Sequence, residues 1–465
     1  MNPVASARLT LALSTGKLAG RTVRLLRIGG GTSLPGMVAR RIDPLVLRKV
    51  IGRTRAAKLV VTGSNGKTTT CRMIAAIATA AGKGVVQNRT GSNLLQGVTS
   101  VAVTGANLFG EMQADVLLFE IDEATMSAAA AEIRPGVVIV TNIFRDQLDR
   151  FGELYAVAGA LERAITALPP SATAILNGDD PLVASFAPDA ACRRIYFGMQ
   201  TQDVGTEVPE HAADTIRCVR CQHDLVYTKV YISHLGDFRC PSCGYARPRL
   251  DVAVTAVTPG AQGSAVTLAT PDGELRFDVG LPGLHNVYNA AAAVAATRAL
   301  GLAPAGIPSA MASLRPAFGR LETIAAGDKQ VVLGFVKNPI SYNTTLRTIL
   351  QRPGPKAILA VHSNTVVDGE DFAWLWDVDL EEAAAQVPWV VAGGTKADEV
   401  AMRFKYAGIP EARITVEREL TPALDAALTR TPPGGTLYIL SGYTPTRELR
   451  RIMESRGWVK PFWED

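Results

Sequence analysis

A glycine-rich segment near residue 60 carries the most specific chemistry in this chain. An apolar run is followed by two glycines, a lysine and three threonines, in the segment VVTGSNGKTTT at residues 60–70. Glycines let successive backbone N–H groups point at one anion, and the helix that follows adds the partial positive charge of its N-terminus. Lys67 can then reach the terminal phosphates of a nucleotide, and Thr68 can ligate Mg²⁺. The segment predicts a nucleotide phosphate site that consists of Gly63, Asn65, Gly66, Lys67, Thr68 and Thr69.

The spacing of this loop departs from the general pattern G-x-x-x-x-G-K-[ST]. Val61 stands where that pattern has its first glycine, and Gly63 falls two residues later. A tight glycine turn that caps an ordinary helix is the alternative interpretation, but such a turn does not need a lysine followed by three threonines. The shortened spacing therefore narrows the class of phosphate-binding loops to which this one can belong.

Four of the six cysteines form two C-x-x-C pairs that are 18 residues apart. Two such turns supply four thiolates for tetrahedral Zn²⁺, and no ligand position is then left for catalytic water. Gly244 lets the second turn reverse, and residues 225–231 alternate in polarity as a short strand does. A disulfide pair or a redox centre is the alternative. The spacing favours a structural zinc ribbon over residues 215–248, with the ligands Cys218, Cys221, Cys240 and Cys243.

Alternating strands and helices must position these motifs. The hydrophobic pattern predicts helices over 69–81, 126–133 and 154–168, and strands over 116–121, 136–141 and 172–176. This order predicts an α/β fold with a mostly parallel sheet, helices on both faces, and ligands at the carboxyl ends of the strands. After about Ala317, strands over 357–362, 389–392 and 436–440 predict a second, Rossmann-like α/β domain.

Length and composition indicate a globular enzyme. The chain has 465 residues, of which 47% are hydrophobic and 20% charged, enough for roughly two to four domains. No apolar run reaches about 18 residues, so no transmembrane helix is predicted. Arg8 and Lys17 interrupt the N-terminal apolar stretch, which argues against a signal peptide. We expect a cytoplasmic protein.

Positive charge is concentrated at the N-terminus. Residues 1–58 contain twelve lysines or arginines and a single acid, Asp43. Such a segment can contact an anionic membrane surface or an anionic partner. A solvated helical face is the alternative, and the sequence leaves both open.

Three carboxylates lie at the end of the strand predicted over 116–121, in the segment FEIDEA at 119–124. A nucleotide-bound Mg²⁺ takes oxygen ligands of this kind. A solvated helix N-terminus rich in acids is the alternative. The next strand is followed by a second polar segment, TNIFRDQLDR at 141–150.

These segments together resemble a known superfamily. The form T-G-x-x-G-K-T-T is similar to the ATP-binding loop of the Mur ligases and folylpolyglutamate synthases, which activate a carboxylate as an acyl phosphate and attack it with an amine. The match to their acidic motif implies that Glu120 ligates Mg²⁺, with Glu123 as the second candidate. The segment T-N-x-x-R-D-Q-L-D-R resembles one branch, the MurT family of lipid II isoglutaminyl synthase subunits. Gln147 replaces the metal-contacting histidine of the peptide-ligating members, which argues against a second metal site.

Four further segments carry the resemblance. The segment GLHNVYNAA at 283–291 looks like the adenine-contacting motif, which implies base contacts from Asn286 and Asn289; an Ala-rich core helix capped by asparagine is the alternative. The segments FGRLE at 318–322 and VKNP at 336–339 imply nucleotide contacts from Arg320 and Lys337. The segment DGEDFAWLWDVD at 368–379 resembles the D-G-x-D-x-S-W-x-W-D-V-D of the MurT family, whereas His362-Ser363-Asn364 departs from its N-D-N.

The resemblance spans about residues 55–450 and implies three parts. These are a basic segment over 1–54, a central ATPase domain over 55–314 that contains the ribbon, and a C-terminal domain over 315–465. The implied reaction is the amidation of the D-glutamate α-carboxylate of lipid II to D-isoglutamine. It uses ATP and Mg²⁺, held by Lys67, Thr68 and Glu120, and it proceeds through an acyl phosphate.

The resemblance also implies a protein partner. Free ammonia is scarce at neutral pH, and we find no Cys–His pair in the sequence to assign to glutamine hydrolysis, so a separate glutaminase subunit of the GatD type is expected. In that family an aspartate of the MurT C-terminal domain orients the glutaminase histidine. Asp371 is the implied residue and Asp377 the second candidate. The alternative is that these acids cap the helix that follows Trp376.

Two other functions compete with this interpretation. One is a stand-alone amide ligase similar to folylpolyglutamate synthase. The other is a nucleic-acid-binding ATPase with a zinc ribbon. The mild net charge of +5 and the shortage of interleaved aromatic and basic residues near the ribbon argue against nucleic acid.

Overall fold

The computed structural model describes residues 3–25, 33–88, 92–146, 154–211, 213–316, 319–365 and 368–460. Within these ranges the strands form sheets of nine, six and two strands. The nine-stranded sheet and the two-stranded hairpin lie in the first two thirds of the chain, and the six-stranded sheet lies in the last third. Both larger sheets are mostly parallel and carry helices, as the sequence predicts for an α/β fold.

The nine-stranded sheet has seven parallel strands and an antiparallel edge. In chain order, with the separate hairpin β7–β8 included, the strands are β1 (Ala57–Thr62), β2 (Val85–Gln87), β3 (Val116–Glu120), β4 (Val137–Val140), β5 (Thr173–Asn177), β6 (Arg193–Met199), β7 (Val226–Ile232), β8 (Leu235–Arg239), β9 (Val252–Pro259), β10 (Ser264–Thr270) and β11 (Gly273–Val279). Their order across the sheet is β11-β10-β9-β6-β5-β4-β1-β3-β2. Since β3, β1 and β4 are parallel neighbours, the polar segments that follow them meet at one edge.

Ten helices accompany this sheet within the described ranges. They are α1 (Pro3–Leu25), α2 (Leu34–Ile42), α3 (Val46–Ile51), α4 (Lys67–Ala80), α5 (Leu95–Gly105), α6 (Met126–Ile133), α7 (Leu154–Thr166), α8 (Pro181–Ala184), α9 (Leu284–Ala299) and α10 (Ile307–Ser313). Helix α9 is buried along residues 286–297, and it packs against α4 and the sheet. Its alanines permit this close packing because they occupy little volume and lose no side-chain entropy.

The six-stranded sheet forms the second α/β unit. Its strands are β12 (Arg320–Ala326), β13 (Lys329–Phe335), β14 (Ala357–Val361), β15 (Val390–Gly393), β16 (Ile414–Glu417) and β17 (Thr436–Ser441). All neighbours are parallel except β12 and β13, and the order is β12-β13-β17-β14-β15-β16. The accompanying helices are α11 (Pro339–Leu350), α12 (Glu381–Ala384), α13 (Ala397–Tyr406), α14 (Leu420–Arg430) and α15 (Tyr443–Ser455).

The N-terminal helices pack on the first unit. Leu9 and Leu13 of α1 and Leu47 of α3 share one hydrophobic cluster with Val60 and Phe119 of the sheet. Helix α2 lies against α5, where the backbone N–H of Gly36 donates to Ser100 Oγ at 2.7 Å. Among the described residues, no helix is long and apolar enough to cross a membrane.

We expect Gly36→Ala to destabilise the protein. A Cβ on Gly36 would overlap the backbone carbonyl of Gln96 and approach Ser100 Oγ to 2.8 Å, so α2 would have to move away from α5. Overpacking of this kind costs about 1–3 kcal/mol of unfolding free energy, measurable by urea denaturation. Gly105→Ala is the control, since its Cβ would meet only ordinary contacts at 3.6 Å and beyond. Equal stability of the two variants would contradict this packing.

Candidate active site

Two glycines allow the phosphate loop to lie against its neighbours. Gly63 and Gly66 have φ values of 121° and 89°, which L side chains rarely adopt. A Cβ on Gly63 would overlap Thr141 Oγ1, and a Cβ on Gly66 would overlap Asn289 Oδ1. The loop therefore needs glycine at both positions for conformation and for space.

Hydrogen bonds from the end of β4 hold the loop in shape. The Thr141 hydroxyl donates to the carbonyl of Asn65 at 2.7 Å, and Asn142 Oδ1 accepts from the Asn65 N–H at 2.9 Å. The Ser64 N–H donates to the carbonyl of Asn142, also at 2.9 Å. In the sequence, Thr141 and Asn142 are recognisable only as parts of a motif, and these bonds give them a role in supporting the loop.

Lys67 lies inside the loop, with 8% of its surface exposed. Its Nζ donates to the carbonyl of Gly63 at 2.5 Å and to both carboxylate oxygens of Glu123 at 3.2 Å. Burial by itself would lower the pKa of Lys67, but Glu123, Glu120 and two further carboxylates raise it above its ordinary value. The loop therefore contains a permanent positive charge where a phosphate group would bind.

Glu120 and Glu123 differ in what they contact. Glu123 is paired with Lys67, whereas Glu120 is 4% exposed and its Oε2 has no hydrogen-bond partner within the described residues. A buried carboxylate oxygen without a partner is costly, and a bound cation would offset that cost. Carboxylate and hydroxyl oxygens are hard ligands that suit Mg²⁺, and the Thr68 hydroxyl begins the same helix. The donor set at Glu120 and Thr68 fits a nucleotide-bound Mg²⁺.

Residues of the second unit converge on the loop. The guanidinium of Arg320 donates to Thr68 Oγ1 at 3.2 Å, and Asn338 Nδ2 lies 3.5 Å from Asn65 Oδ1. Lys337 forms an ion pair with Asp146, which follows β4. Burial raises the pKa of Asp146, although Lys337 opposes this shift. The structure thus brings Arg320 to the phosphate loop and Lys337 to Asp146 after β4, and the sequence did not reveal this role of Asp146.

Asn286 and Asn289 are buried behind the loop. Asn286 Nδ2 donates to the carbonyl of Pro282 at 2.7 Å, and Asn289 Nδ2 donates to Asn286 Oδ1 at 3.1 Å. Asn289 Oδ1 accepts from the Thr70 hydroxyl at 3.4 Å. The helix that contains them is an Ala-rich core helix, but its N-cap is Gly283 rather than an asparagine. In this arrangement the two amides support the loop, and base contacts from them stay a prediction.

Asp371 and Asp377 lie in different surroundings. Asp371 is exposed, and its Oδ1 accepts at 2.8 Å from the N–H of Ala373, the first residue of the short 3-10 helix Ala373–Asp377. The N-cap of this helix is Phe372, and the bond of Asp371 lies before Trp376 and not at a helix that follows it. Asp377 is paired with Arg145 at 3.3 Å. Of these two carboxylates, Asp371 is exposed and has no ion pair to a described residue, whereas Asp377 is half-buried and paired.

Buried aromatic rings hold this acidic segment in place. The ring of His362 lies 4.9 Å from Phe372 and 5.7 Å from Trp374, and it stacks on Tyr342 at 5.9 Å. Burial lowers the pKa of His362 to about 3, so its ring is neutral at physiological pH. His362 is thus a packing residue beneath the segment that contains Asp371.

The four cysteines cluster as predicted. Their sulfur atoms all lie within 4.8 Å of one another, with Cys218 and Cys243 3.5 Å apart and Cys221 and Cys240 3.4 Å apart. These separations exceed a disulfide bond of about 2.05 Å, and they are close to the spacing that tetrahedral ligands have around one ion. Gly244 adopts a positive φ of 74° at the second turn, as expected. The cluster fits Zn²⁺ and disfavours the disulfide alternative.

The hairpin β7–β8 of this insertion contacts the loop after β4. His234 at its tip is fully buried, and its ring lies 4.9 Å from the ring of Phe144. The backbone of Phe144 exchanges two hydrogen bonds with the Ser64 hydroxyl, at 2.9 and 3.0 Å. The insertion is therefore packed, through Phe144, against the phosphate loop itself.

Two acidic residues just before the insertion form ion pairs with arginines, one in each α/β unit. Asp214 accepts from the backbone N–H of Arg145 at 2.8 Å and pairs with its guanidinium, which also reaches Asp377. Glu210 pairs with Arg347 of α11. Neither acid was identified from the sequence, because neither belongs to a motif. Gln147, the substituted metal position, lies outside the described residues.

Comparisons with known proteins agree with this geometry. The family model of the Mur ligase middle domain matches residues 61–240, and that of the MurT ligase C-terminal domain matches residues 335–446. The subunit MurT of a glutamine-hydrolysing lipid II isoglutaminyl synthase from Streptococcus pneumoniae (strain ATCC BAA-255 / R6) is 32% identical over 455 residues, which are 97% of this chain and 99% of that protein. The chain belongs to the MurT family of Mur ligases. The predicted family and the assignment as a ligase are thereby confirmed.

Other relatives extend the comparison. A subunit of the same name from Staphylococcus aureus (strain N315) is 29% identical and aligns with 84% of this chain and 86% of its own length. Among solved structures, a pseudomurein peptide ligase type C from Methanothermus fervidus has a TM-score of 0.68 at 21% identity, covering 87% of this chain and 80% of its own. MurF from Thermotoga maritima in complex with ADP has a TM-score of 0.62 at 16% identity, covering 89% and 82%. The structural likenesses show a common fold.

We expect Asp214→Ala to destabilise the loop after β4. Asp214 is 3% exposed and accepts from both the backbone N–H and the guanidinium of Arg145. Its loss removes the partner of that backbone N–H, whereas the half-buried guanidinium keeps its pair with Asp377. The expected cost is about 1–3 kcal/mol of unfolding free energy. Asp224→Ala in the same insertion is the control, because its pair with Arg217 is exposed on both sides and should contribute less than about 1 kcal/mol. Indistinguishable urea midpoints would show that Asp214 is not a structural link.

Proposed function

We propose that this chain is the synthase subunit of a lipid II isoglutaminyl synthase. It amidates the D-glutamate α-carboxylate of the lipid II stem peptide to D-isoglutamine, in the cytoplasm at the inner face of the cell membrane. Family membership supports the reaction class. The observation that carries the assignment of the site is Glu120, which lies close to the loop that contains Lys67. Its carboxylate is 4% exposed, and its Oε2 has no hydrogen-bond partner in the part of the chain that the structure describes. ATP supplies the phosphoryl group that activates the substrate carboxylate.

Each residue of the loop has a distinct task in this proposal. Lys67 and the backbone N–H groups between Gly63 and Thr69 bind the phosphates and neutralise the charge that develops on transfer. Glu120 and the Thr68 hydroxyl hold Mg²⁺. Arg320, which lies 3.2 Å from Thr68 Oγ1, approaches the phosphates from the second unit. Asn286 and Asn289 support the loop, and we retain adenine contact as their proposed second role.

Ammonia comes from a separate glutaminase of the GatD type in this proposal. Asp371 orients the catalytic histidine of that partner, as the third member of a triad. Its exposure supports this choice, because a carboxylate must be accessible to meet a histidine on another chain. Asp377 is the weaker candidate, since Arg145 already binds it. A stand-alone amide ligase similar to folylpolyglutamate synthase, the alternative function, would need no such partner.

We further propose that the four cysteines bind one structural Zn²⁺. The sulfur cluster, the mutual distances of 3.4 and 3.5 Å and the turn at Gly244 support this assignment. The ion would hold together an insertion whose own apolar cluster is small, and it would have no role in the chemistry.

The two catalytic roles can be separated by the nitrogen source. Asp371→Asn should lower glutamine-dependent amidation by about 10²–10⁴, the usual cost of misorienting a general base, and should retain activity with concentrated ammonium salt. Lys67→Ala should lose activity with either source, because the positive charge that Lys67 places on the transferred phosphoryl group is then missing. Both activities are measured as amidated lipid II, and glutamate release follows the glutaminase.

Lys83→Ala is the control for Lys67, because Lys83 lies beyond the same helix and is exposed. Asp377→Asn is the comparison for Asp371. Amidation by Lys67→Ala would refute the phosphate site. Loss of glutamine use by Asp377→Asn alone would assign the triad role to Asp377, and normal glutamine use by both variants would reject a shared triad.

The zinc assignment has an independent test. The purified protein should contain about one zinc ion per chain, and Cys240→Ser should lose it and unfold at a lower temperature, because metal binding is folding free energy for such insertions. Cys192→Ala is the control, since Cys192 is buried away from the cluster and should leave the metal content unchanged. Absence of zinc in the wild-type protein, or a thermal midpoint that chelators do not change, would contradict the site.

A further inference from the structure

The outer face of helix α1 carries a line of exposed leucines. Leu11, Leu18 and Leu25 are 57%, 64% and 85% exposed. They are seven residues apart, close to two helical turns, so their side chains project from the same side of the helix. The core-facing side is formed by Leu9, Leu13 and neighbouring residues, which are buried. More than half of each of these leucines is therefore left uncovered by the described chain.

An adjacent loop continues this apolar surface. Leu108 and Phe109 are 46% and 74% exposed. The loop lies against α1, because Thr10 Oγ1 donates to the carbonyl of Leu108 at 3.3 Å and a Cβ on Gly110 would lie 3.1 Å from Leu9. We call Leu11, Leu18, Leu25, Leu108 and Phe109 the N-terminal apolar surface. Large exposed apolar residues grouped on one face in this way are typical of a binding surface.

Basic residues border this surface. Arg8 and Arg21 are exposed and lie three residues from Leu11 and Leu18, and are therefore on the same side of α1. The single acid of residues 1–58, Asp43, is 2% exposed and paired with Lys49 at 2.6 Å. Glu111, beyond the loop, is the nearest acid in sequence to Phe109, and its carboxylate accepts from Asn107. The surroundings of the leucines are thus strongly cationic.

We propose that the N-terminal apolar surface docks on an anionic lipid bilayer. Leucine and phenylalanine side chains would enter the boundary between headgroups and acyl chains, and Arg8 and Arg21 would contact lipid phosphates. A second copy of the chain is disfavoured as the occupant, because it would bring two cationic surfaces together. The benefit of docking rests on the proposed function, since docking would bring the phosphate loop to the membrane that contains the lipid-linked substrate.

Vesicle binding tests this inference without substrate, partner or activity. The full-length protein should sediment with vesicles that contain phosphatidylglycerol, more weakly with vesicles of phosphatidylcholine alone, and less as salt is raised. Leu11→Gln/Leu18→Gln should lower the partition coefficient at least about tenfold, and Arg8→Gln/Arg21→Gln should remove most of the preference for anionic lipid. Met402→Gln, at an equally exposed apolar position of the second unit, should bind as the wild type does.

Several results would overturn the proposal. These are a wild-type protein that does not sediment with anionic vesicles, a leucine variant that binds as the wild type does, and a leucine variant that loses self-association or glutaminase binding instead of lipid binding. Circular dichroism confirms that the variants fold. Amidation of a soluble substrate that lacks the lipid chain should be unchanged in the leucine variant. Failure of the wild-type protein and its glutaminase to amidate lipid II would instead refute the proposed function, while vesicle binding would still test the docking.

Discussion

The close approach of the phosphate loop to its neighbours is the constraint on which the rest of the site depends. Thr141 at the end of β4 and Asn289 on α9 leave no room for a Cβ at Gly63 or Gly66. Helix α9 must therefore run deep beneath the loop, and a helix buried on all sides needs small side chains. The Ala-rich sequence of α9 and the glycines of the loop are consequently two parts of one packing solution, although more than 200 residues separate them.

Opposite charges join the two α/β units around this loop. The second unit contributes Lys337 and Arg347, which pair with Asp146 and Glu210 of the first, while Arg145 of the first unit pairs with Asp377. Ion pairs with partial burial add little net stability, because desolvation offsets their attraction. Their contribution here is orientation, since they fix the position of the loop that contains Asp146 relative to the segment after Asp371. A site assembled from two units needs such fixed points to keep its reacting groups in register.

Local signals made much of this structure predictable. The helix after the phosphate loop was predicted over 69–81 and spans Lys67–Ala80, and the strand predicted over 357–362 spans Ala357–Val361, because hydrophobic periodicity and glycines act within a few residues. The cysteine cluster followed from spacing alone. The ion pair of Asp146 and Lys337 joins positions 191 residues apart, and no local pattern encodes such a contact. Likewise, no local pattern shows that Lys67 forms its ion pair with Glu123 and not with Glu120, the proposed Mg²⁺ ligand.

The insertion with the four cysteines combines a cluster that local spacing predicts with long-range contacts that it does not. Its own apolar cluster is small and centres on the cysteines and on Phe238 and Tyr245, so it cannot rely on hydrophobic burial alone for its shape. Yet His234 at its hairpin tip packs on Phe144, and Asp214 before its first cysteine holds Arg145, whose guanidinium reaches Asp377. A metal ion that fixes the insertion would thus also fix Phe144 and Arg145. The cysteines, far from the phosphate loop in sequence, then influence its geometry through side-chain contacts that a bare ATPase domain would lack.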